Sequence, residues 1–223
     1  MAWAGFIVAF IAFFVTHSLP VRPPLRPILV RALGPRGFGL AYGALSLGAL
    51  TWLIIAAGQA PFVPLWSWAP WQNGVALILM GLSCIIFSLG LGRPNPFSFG
   101  GAQNYLFDPQ RPGIVRLTRH PLLTALAVWA LAHLIPNGDL AHVILFGVFA
   151  GFASFGGLLV DRRKRREMGQ GWQMLKDDMG RQAHAVAFMS APVSDALRIV
   201  VAGFVYVGLL WLHPRVIGVN PII

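Results

Sequence analysis

Six long apolar stretches, separated by more polar connections that often contain proline or arginine, constrain the fold of this chain more than any other feature. A helix needs about 20 residues to cross about 30 Å of hydrocarbon, because each residue advances it by about 1.5 Å. The stretches approach or reach that length. We therefore predict transmembrane helices over residues 2–19, 37–58, 73–92, 121–136, 141–160 and 196–213.

The composition excludes an ordinary water-soluble domain. Hydrophobic residues make up 57% of the 223 residues and charged residues only 11%, whereas a soluble domain carries about 25% charged residues. So few charges cannot cover a folded surface in water. We therefore predict an all-α fold, a polytopic bundle of about six transmembrane helices that forms one domain over residues 1–223.

The basic residues predict the orientation of this bundle. Arginine and lysine are frequent in the first, third and fifth connections between the spans, and both are absent from the second and fourth connections. Connections rich in arginine and lysine stay on the cytoplasmic side of a membrane. The pattern predicts a multi-pass protein of the bacterial inner membrane with both termini outside, N-out and C-out.

The net charge of +10 does not indicate nucleic-acid binding. The basic residues lie between the spans, where topology and anionic lipid headgroups account for them, and not on one face of a soluble domain. We expect the lipid bilayer as the partner and no nucleic acid. Cys84 is the single cysteine, so the chain forms no internal disulfide and has no cysteine-based zinc site.

Histidines are the candidates for chemistry, because no Asp, Glu, Lys or Arg lies deep inside the first five predicted spans. An imidazole in or beside hydrocarbon is costly unless it is hydrogen-bonded or bound to a metal. His17, His120, His133 and His142 lie in or next to spans. His184 lies outside the spans and His213 is the last residue of the sixth, and neither receives a role.

These histidines have few carboxylates near them in the sequence. No His-Glu-x-x-His motif occurs, and we expect no buried acid that would orient a histidine for Ser-His-Asp hydrolysis. Imidazoles without carboxylates in an apolar bundle suit haem, a flat hydrophobic cofactor whose iron binds histidines of facing helices. Hydrogen bonding between neighbouring helices is the alternative role for each histidine taken alone.

The connection from Arg93 to His120 is the second candidate region. It contains four arginines, which can bind an anionic group such as haem propionates or a nucleotide-like cofactor. Arg116 and Arg119 lie just before His120, at the predicted cytoplasmic end of the fourth span. Cytoplasmic topology alone explains the same arginines equally well.

Several short stretches together resemble the NnrU family of integral membrane proteins, whose name comes from denitrification gene clusters and whose relatives include 15-cis-zeta-carotene isomerase. The similar stretches are distributed over residues 10–170, which are most of the chain. They are Phe14-Val15-Thr16-His17-Ser18, Asn95-Pro96, Gly113-Ile114 through Arg119-His120-Pro121, Trp129-Ala130-Leu131-Ala132-His133, Asn137-Gly138-Asp139 and Asp161-Arg162-Arg163.

The resemblance implies a membrane protein that binds haem b. The iron ligands proposed for the isomerase branch match His17 and His133 here. Asn95 belongs to a matching stretch in the connection from Arg93 to His120, so we count it among the expected cofactor-binding residues. That branch also has a cysteine where this chain has Ala130, so a change of iron ligand to cysteine is not implied. The implied function is nitric oxide or denitrification metabolism, or haem-dependent cis-trans isomerisation of an apolar polyene.

The second iron ligand stays open at this point. His17 ends the first span on the predicted cytoplasmic side, whereas His133 lies twelve residues beyond Pro121, or about 18 Å along a helix. Two nitrogens that bind one iron stand only about 4 Å apart. We expect His17 as one ligand, with His133 or, at a better-matched depth, His120 as its partner. Alanine at His17 should then abolish haem retention, and alanine at His142 or His213 should not.

Two other functions are compatible with the sequence. The element Arg119-His120-Pro121, followed by a helical hairpin and a polar segment, resembles the S-adenosylmethionine region of isoprenylcysteine and phospholipid methyltransferases. Those enzymes usually have glutamates in the last cytoplasmic segment, where this chain has only Glu167. The other alternative is a non-catalytic membrane accessory protein, in which the histidines only pack.

Overall fold

The computed structural model describes residues 3–185 and 192–222, and the regular structure in these ranges is helical. They contain seven α-helices: α1 (Ala4–Ser18), α2 (Leu25–Gly58), α3 (Pro70–Gly90), α4 (Pro121–Leu134), α5 (Leu140–Met168), α6 (Gln170–Gly180) and α7 (Pro192–Val216). Two 3₁₀ turns, Asn104–Leu106 and Gly113–Arg116, lie between α3 and α4. The all-α prediction is confirmed.

Each of the six predicted spans coincides with a helix, but the helices differ in length. Among the described residues, α2, α3, α5 and α7 are long and apolar enough to cross a membrane. Helices α1 and α4 are apolar but have only 15 and 14 residues, which correspond to about 21–23 Å against about 30 Å of hydrocarbon. The chain is a membrane protein, and six passes stays a prediction.

Large apolar side chains point outward from the long helices. Leu40 of α2, Ile78 of α3 and Phe204 of α7 expose 78%, 74% and 76% of their surface. Exposure of such side chains to water is unfavourable, at about 25 cal/mol per Å². In a bilayer the same surface contacts lipid tails, and the helical backbone satisfies its own hydrogen bonds. The apolar faces are therefore consistent with contact with a lipid bilayer.

The described chain divides into two compact units. The first contains the chain up to Ser67 together with Gly138–Leu145. In this unit α1 packs against α2. Phe6 and Ala9 of α1 and Leu53 of α2 are buried, so one apolar face of each helix is covered.

A kink divides α2 near its predicted membrane boundary. Gly34 has φ 70° and ψ 165° inside the helix, and Pro35 follows it. Glycine adopts this conformation without a steric penalty, and proline lacks the N–H that would continue the hydrogen-bond ladder. The first connection was predicted to lie before residue 37, but in the structure it is helical from Leu25 onward. The predicted span, 37–58, begins just after the kink.

The second and fourth connections pair through their backbones within the first unit. The N–H groups of Leu65 and Trp66 donate to the carbonyl of Gly138 at 2.7 and 3.2 Å, and the N–H of Leu140 donates to Val63 at 2.9 Å. This pairing places the two connections that lack arginine and lysine on the same side of the membrane. Which side is outside stays a prediction.

The second unit contains Trp68–Asn137 and the chain from Phe146 onward. Here α3 packs against α4 and α7, and Trp129 of α4 contacts Phe149 of α5 with 5.9 Å between ring centroids. The α3–α4 connection has its own apolar core, in which Phe97, Val115 and Trp172 are fully buried. That core holds α6 against the connection.

Helix α5 extends past residue 160, where the predicted span ends, to Met168. Gly169 then adopts φ 58°, a left-handed conformation that ends a helix readily. Helix α6 follows and contributes Trp172 to the core of the connection. The basic residues after residue 161 therefore lie on a helical extension of the membrane span.

Candidate functional site

The connection between α3 and α4 is organised around Asn95, which is 1% exposed. Its Nδ2 donates to the carbonyl of Arg119 at 2.9 Å, and its Oδ1 accepts the N–H of Phe97 at 3.1 Å. Its own N–H donates to Oδ1 of Asn104 at 2.9 Å. Asn95 thus ties the beginning of the connection to its end, which positions His120 directly before α4.

Both ring nitrogens of His120 have polar partners. Nδ1 lies 3.0 Å from Ser98 Oγ, and Nε2 lies 3.1 Å from Asp161 Oδ1. A carboxylate only accepts hydrogen bonds, so Nε2 carries the hydrogen and Nδ1 accepts from the Ser98 hydroxyl. Burial lowers the pKa of His120, Asp161 opposes this by raising it, and Arg119 lowers it further. The net effect holds the pKa of His120 below its usual value, which favours the neutral imidazole.

Asp161 joins two consecutive residues of the connection to α5. Its carboxylate accepts from Arg119 Nη2 at 2.7 Å as well as from His120, and the residue is 7% exposed. The expectation that no buried acid orients a histidine was wrong. Asp161 comes directly after an apolar span and directly before a run of basic residues, so the sequence gives it no sign of burial. Its partners His120 and Arg119 are 41 and 42 positions away.

Ser98, His120 and Asp161 form a hydroxyl–imidazole–carboxylate chain. In hydrolases this order lets the imidazole take the hydroxyl proton while the carboxylate fixes its tautomer. Here Ser98 is 3% exposed, so its hydroxyl is buried and does not face solvent. The chain of hydrogen bonds satisfies buried polar groups and fastens the connection to α5.

Arg116 and Trp172 attach α6 to the same region. Arg116 donates from Nε to the carbonyl of Gln182 at 2.9 Å and from Nη2 to the carbonyl of Gly180 at 3.3 Å. The ring of Trp172 lies 4.2 Å from the Arg165 guanidinium carbon, a cation–π contact that holds the basic end of α5. Arg116 and Arg119 therefore both have protein partners.

A second ion pair borders a cavity of about 250 Å³ that residues of the α3–α4 connection and of α7 line. Arg93 pairs with Asp195 of α7, and Arg198 donates to the carbonyls of Ser88 and Leu91 at 2.7 Å each. Burial and the charge of Arg198 lower the pKa of Arg93. The cavity is lined by Arg93, Arg198, Arg111 and Asp108 among others, a mixed set of charges.

His133 lies in α4 among aromatic rings. Its ring centroid is 4.9 Å from that of Trp129 and 5.1 Å from that of Phe146. Its Nδ1 lies 2.8 Å from the carbonyl oxygen of Trp129. Because a carbonyl only accepts, Nδ1 carries the hydrogen, and Nε2 of the neutral ring keeps its lone pair.

His17 lies in the other unit, at the end of α1. Its ring stacks on Phe13 with 5.3 Å between centroids and an interplanar angle of 12°. Tyr42 donates its hydroxyl to the His17 carbonyl at 2.7 Å. The Nδ1 atom of His17 is buried and has no hydrogen-bond partner, which is unusual for a buried polar nitrogen.

His142 has a partner within its own helix turn. Its Nδ1 lies 2.7 Å from Asp139 Oδ2, and its N–H donates to Asp139 Oδ1 at 3.2 Å. Asp139 thus caps the N-terminus of α5, the role in which aspartate is favoured. This local arrangement explains His142 without a ligand.

Sequence reasoning missed three site residues. Asp161 and Ser98 bind His120, and the ring of His213 lies 6.5 Å from that of His133. Their sequence signals are weak, because each is far along the chain from the residue it meets. Within the described ranges no three His, Cys, Asp or Glu side chains form a group that would hold a bare metal ion.

The long apolar helices define an α-helical integral membrane protein, and a buried polar network joins its α3–α4 connection to α5. Over residues 5–221 the sequence matches the NnrU protein family, so the chain belongs to this family. The recognition made from the sequence is confirmed. No curated protein and no solved structure matches the chain.

Proposed function

We propose that this NnrU-family protein binds haem b within its apolar helices, with His133 as an iron ligand. The observation that carries the proposal is the hydrogen bond from His133 Nδ1 to the Trp129 carbonyl, 2.8 Å long. A histidine that binds a metal through one ring nitrogen typically donates the other N–H to such an acceptor. The bond fixes the ring's tautomer and raises the basicity of Nε2.

The surroundings of His133 suit a flat apolar cofactor. The rings of Trp129 and Phe146 flank the imidazole, and Ala130 and Ala132 on the same helix are fully buried. Aromatic and small apolar side chains exclude water and leave the iron ligand without competing polar groups. Bound haem would supply one-electron redox chemistry and a metal centre.

His17 also fits the proposal, in its own unit. A buried ring nitrogen without a partner carries a desolvation cost of about 1–3 kcal/mol, which a ligand or a water molecule would offset. The sequence resemblance implies His17 as an iron ligand, and the Nδ1 atom of its ring is not used by the protein.

The other residues expected at the cofactor are already engaged by the protein. His120 uses both ring nitrogens, Arg116 and Arg119 bind protein oxygens, and Asn95 ties the connection together. The proposal therefore assigns these four residues to the architecture of the connection and not to iron or propionate binding.

The test is the absorption spectrum of the detergent-purified full-length protein, oxidised and reduced, with a pyridine haemochrome assay. We expect near one haem b per chain in the wild type and at least a 10-fold lower haem content in His133→Ala. His142→Ala is the matched control, because His142 is a membrane-helix histidine whose partner is Asp139. A wild-type protein that stays colourless after haem is supplied would overturn the proposal.

Within this proposal the cofactor acts in nitric oxide or denitrification metabolism, or in isomerisation of an apolar polyene, in the bacterial inner membrane. A colourless protein would leave the non-catalytic accessory role and methyl transfer. Binding of S-adenosylmethionine, measured by calorimetry on the same preparation, separates these two.

A further inference from the structure

The outward face of α5 changes from apolar to basic within one helical turn. Phe155 and Leu159 expose 69% and 62% of their surface. Arg162, Arg163 and Arg166 follow Leu159 by three, four and seven positions, and all three are exposed. Residues with this spacing lie on one face of a helix. Leu159 and the three arginines therefore form one continuous surface, which we call the α5 basic face.

The opposite face of α5 is used by the protein itself. Asp161 is buried there and accepts hydrogen bonds from Arg119 and His120. One helical turn earlier, a Cβ at Gly157 would lie only 3.0 Å from the His120 ring. Because α5 contacts the α3–α4 connection through this side, the basic face points away from the interior of the protein.

The arginines of the basic face surround an open cavity of about 700 Å³. Arg163 shares the carboxylate of Glu167 with Lys164, whereas Arg162 and Arg166 have no hydrogen bond or ion pair with any residue that the structure describes. Residues 162–167 contain five basic side chains and one carboxylate, so this surface is strongly positive. The cavity is lined by Leu159, Val160, Arg162, Arg163, Arg165 and Arg166.

The depth of these arginines corresponds to the headgroup layer of a membrane. The apolar part of α5 ends at Val160, and residues 162–166 lie about 3–9 Å beyond it at about 1.5 Å per residue. The headgroup layer on each side of the hydrocarbon is about 5–7 Å thick. A phospholipid whose tails lie against Phe155 and Leu159 therefore has its phosphate at the level of the guanidinium groups.

We propose that the α5 basic face binds one anionic phospholipid, with Arg162 and Arg166 on its phosphate and Leu159 against an acyl tail. A guanidinium group binds phosphate through two parallel hydrogen bonds, which a point charge does not provide. The positive surface repels the headgroup amine of a zwitterionic lipid, whereas phosphatidylglycerol has no such amine. The site does not depend on bound haem.

Native mass spectrometry of the full-length protein in an uncharged detergent tests the proposal, with phosphatidylglycerol and phosphatidylcholine of identical tails as the probes. We expect the wild type to bind one phosphatidylglycerol about 10-fold more tightly than phosphatidylcholine, and Arg162→Gln/Arg166→Gln to lose this preference. Arg26→Gln/Arg31→Gln is the matched control, because it removes two exposed arginines of α2 and the same charge. Should the first double variant not fold, Arg166→Gln alone should lower the preference about 3-fold.

Three results would overturn the proposal. Equal affinity of the wild type for both lipids would show that the arginines do not select a headgroup. An equal loss in the α2 control would show attraction by net charge and not by this surface. Displacement of the lipid by glycerol 3-phosphate, which has the phosphate without tails, would assign the site to a soluble phosphate ester instead.

Discussion

At Asp161, one carboxylate accepts hydrogen bonds from two residues that follow each other in the sequence, Arg119 and His120. The carboxylate is buried, and it accepts the hydrogen bond of the buried His120 Nε2–H at 3.1 Å. Replacement of such a group leaves its partners desolvated and unpaired, which costs more than the hydrogen bonds are worth on their own. Asp161 therefore has a larger effect on stability than its position beside a basic segment indicates.

We expect Asp161→Ala to lower the free energy of unfolding by about 2–4 kcal/mol, because His120 and Arg119 lose their shared acceptor. Denaturant or thermal unfolding of the protein in detergent measures the change. Asp178→Ala is the control, since its pair with Arg181 is exposed and is worth about 0–1 kcal/mol. Equal effects of the two substitutions would show that the buried network does not stabilise the protein.

The lowered pKa of His120 predicts how the free energy of unfolding depends on pH. Its pKa is lowered in the folded state, so the unfolded chain binds a proton more readily. This favours unfolding as pH falls below about 6.5, the unfolded-state value, down to the folded-state pKa. The contribution of His120 to the free energy of unfolding should therefore be fully present above about pH 6.5 and should decrease below that pH.

Thermal unfolding in detergent at pH 5.5 and 7.5 checks this prediction. His120→Gln, which keeps a hydrogen-bonding side chain but does not titrate, should show a smaller loss of stability at the lower pH than the wild type. His184→Gln is the control, because His184 is exposed. A wild-type and a His120→Gln protein with the same pH dependence would contradict the assignment.

At the scale of the element, the kink in α2 depends on one glycine. Gly34 has φ 70° and ψ 165°, a conformation that L-residues with a Cβ rarely adopt. A Cβ at Gly34 meets no atom within 4 Å, so the cost of a substitution comes from the backbone alone. The kink separates the short first part of α2, which begins at Leu25 and contains arginines, from the long apolar part that follows.

We expect Gly34→Ala to destabilise the protein by about 1–3 kcal/mol through backbone strain. The matched control is Gly39→Ala in the same helix, where φ is ordinary and no atom lies within 4 Å of the new Cβ; alanine there should be neutral or stabilising by up to about 1 kcal/mol. Unfolding in detergent measures both. A Gly34→Ala protein as stable as Gly39→Ala would mean that the kink relaxes without cost.

At the scale of the whole molecule, charge and hydrogen bonding both bear on topology. The second and fourth connections share backbone hydrogen bonds, and neither contains arginine or lysine. The basic end of α5 and helix α6 belong to the fifth connection. The positive-inside rule therefore predicts that the second connection is outside and α6 is in the cytoplasm.

Labelling of single cysteines in intact cells checks this topology. In a Cys84→Ala background, Phe62→Cys in the second connection should react with a membrane-impermeant maleimide. Met174→Cys in α6 should react only after the cells are permeabilised. Both residues are exposed, at 77% and 64%, so accessibility differs only by the membrane. The reverse pattern would invert the predicted orientation.

The sequence by itself determined the helical class and the positions of the apolar spans, because these depend on local composition. The family was recognised separately, from the similarity of several short stretches, and the match over residues 5–221 confirms it. A run of apolar residues selects the membrane as solvent whatever it later contacts. The kink at Gly34 is also local, since Gly34-Pro35 interrupts the helix through its own backbone.

Only the tertiary structure decided which groups the histidines meet. His120 pairs with an aspartate 41 positions away, and the rings of His133 and His213 approach each other from two different helices. Such pairs depend on how each helix is rotated and how far it is shifted along its neighbour. Helix packing in lipid is set by many small side-chain contacts, and no short stretch of sequence contains that information.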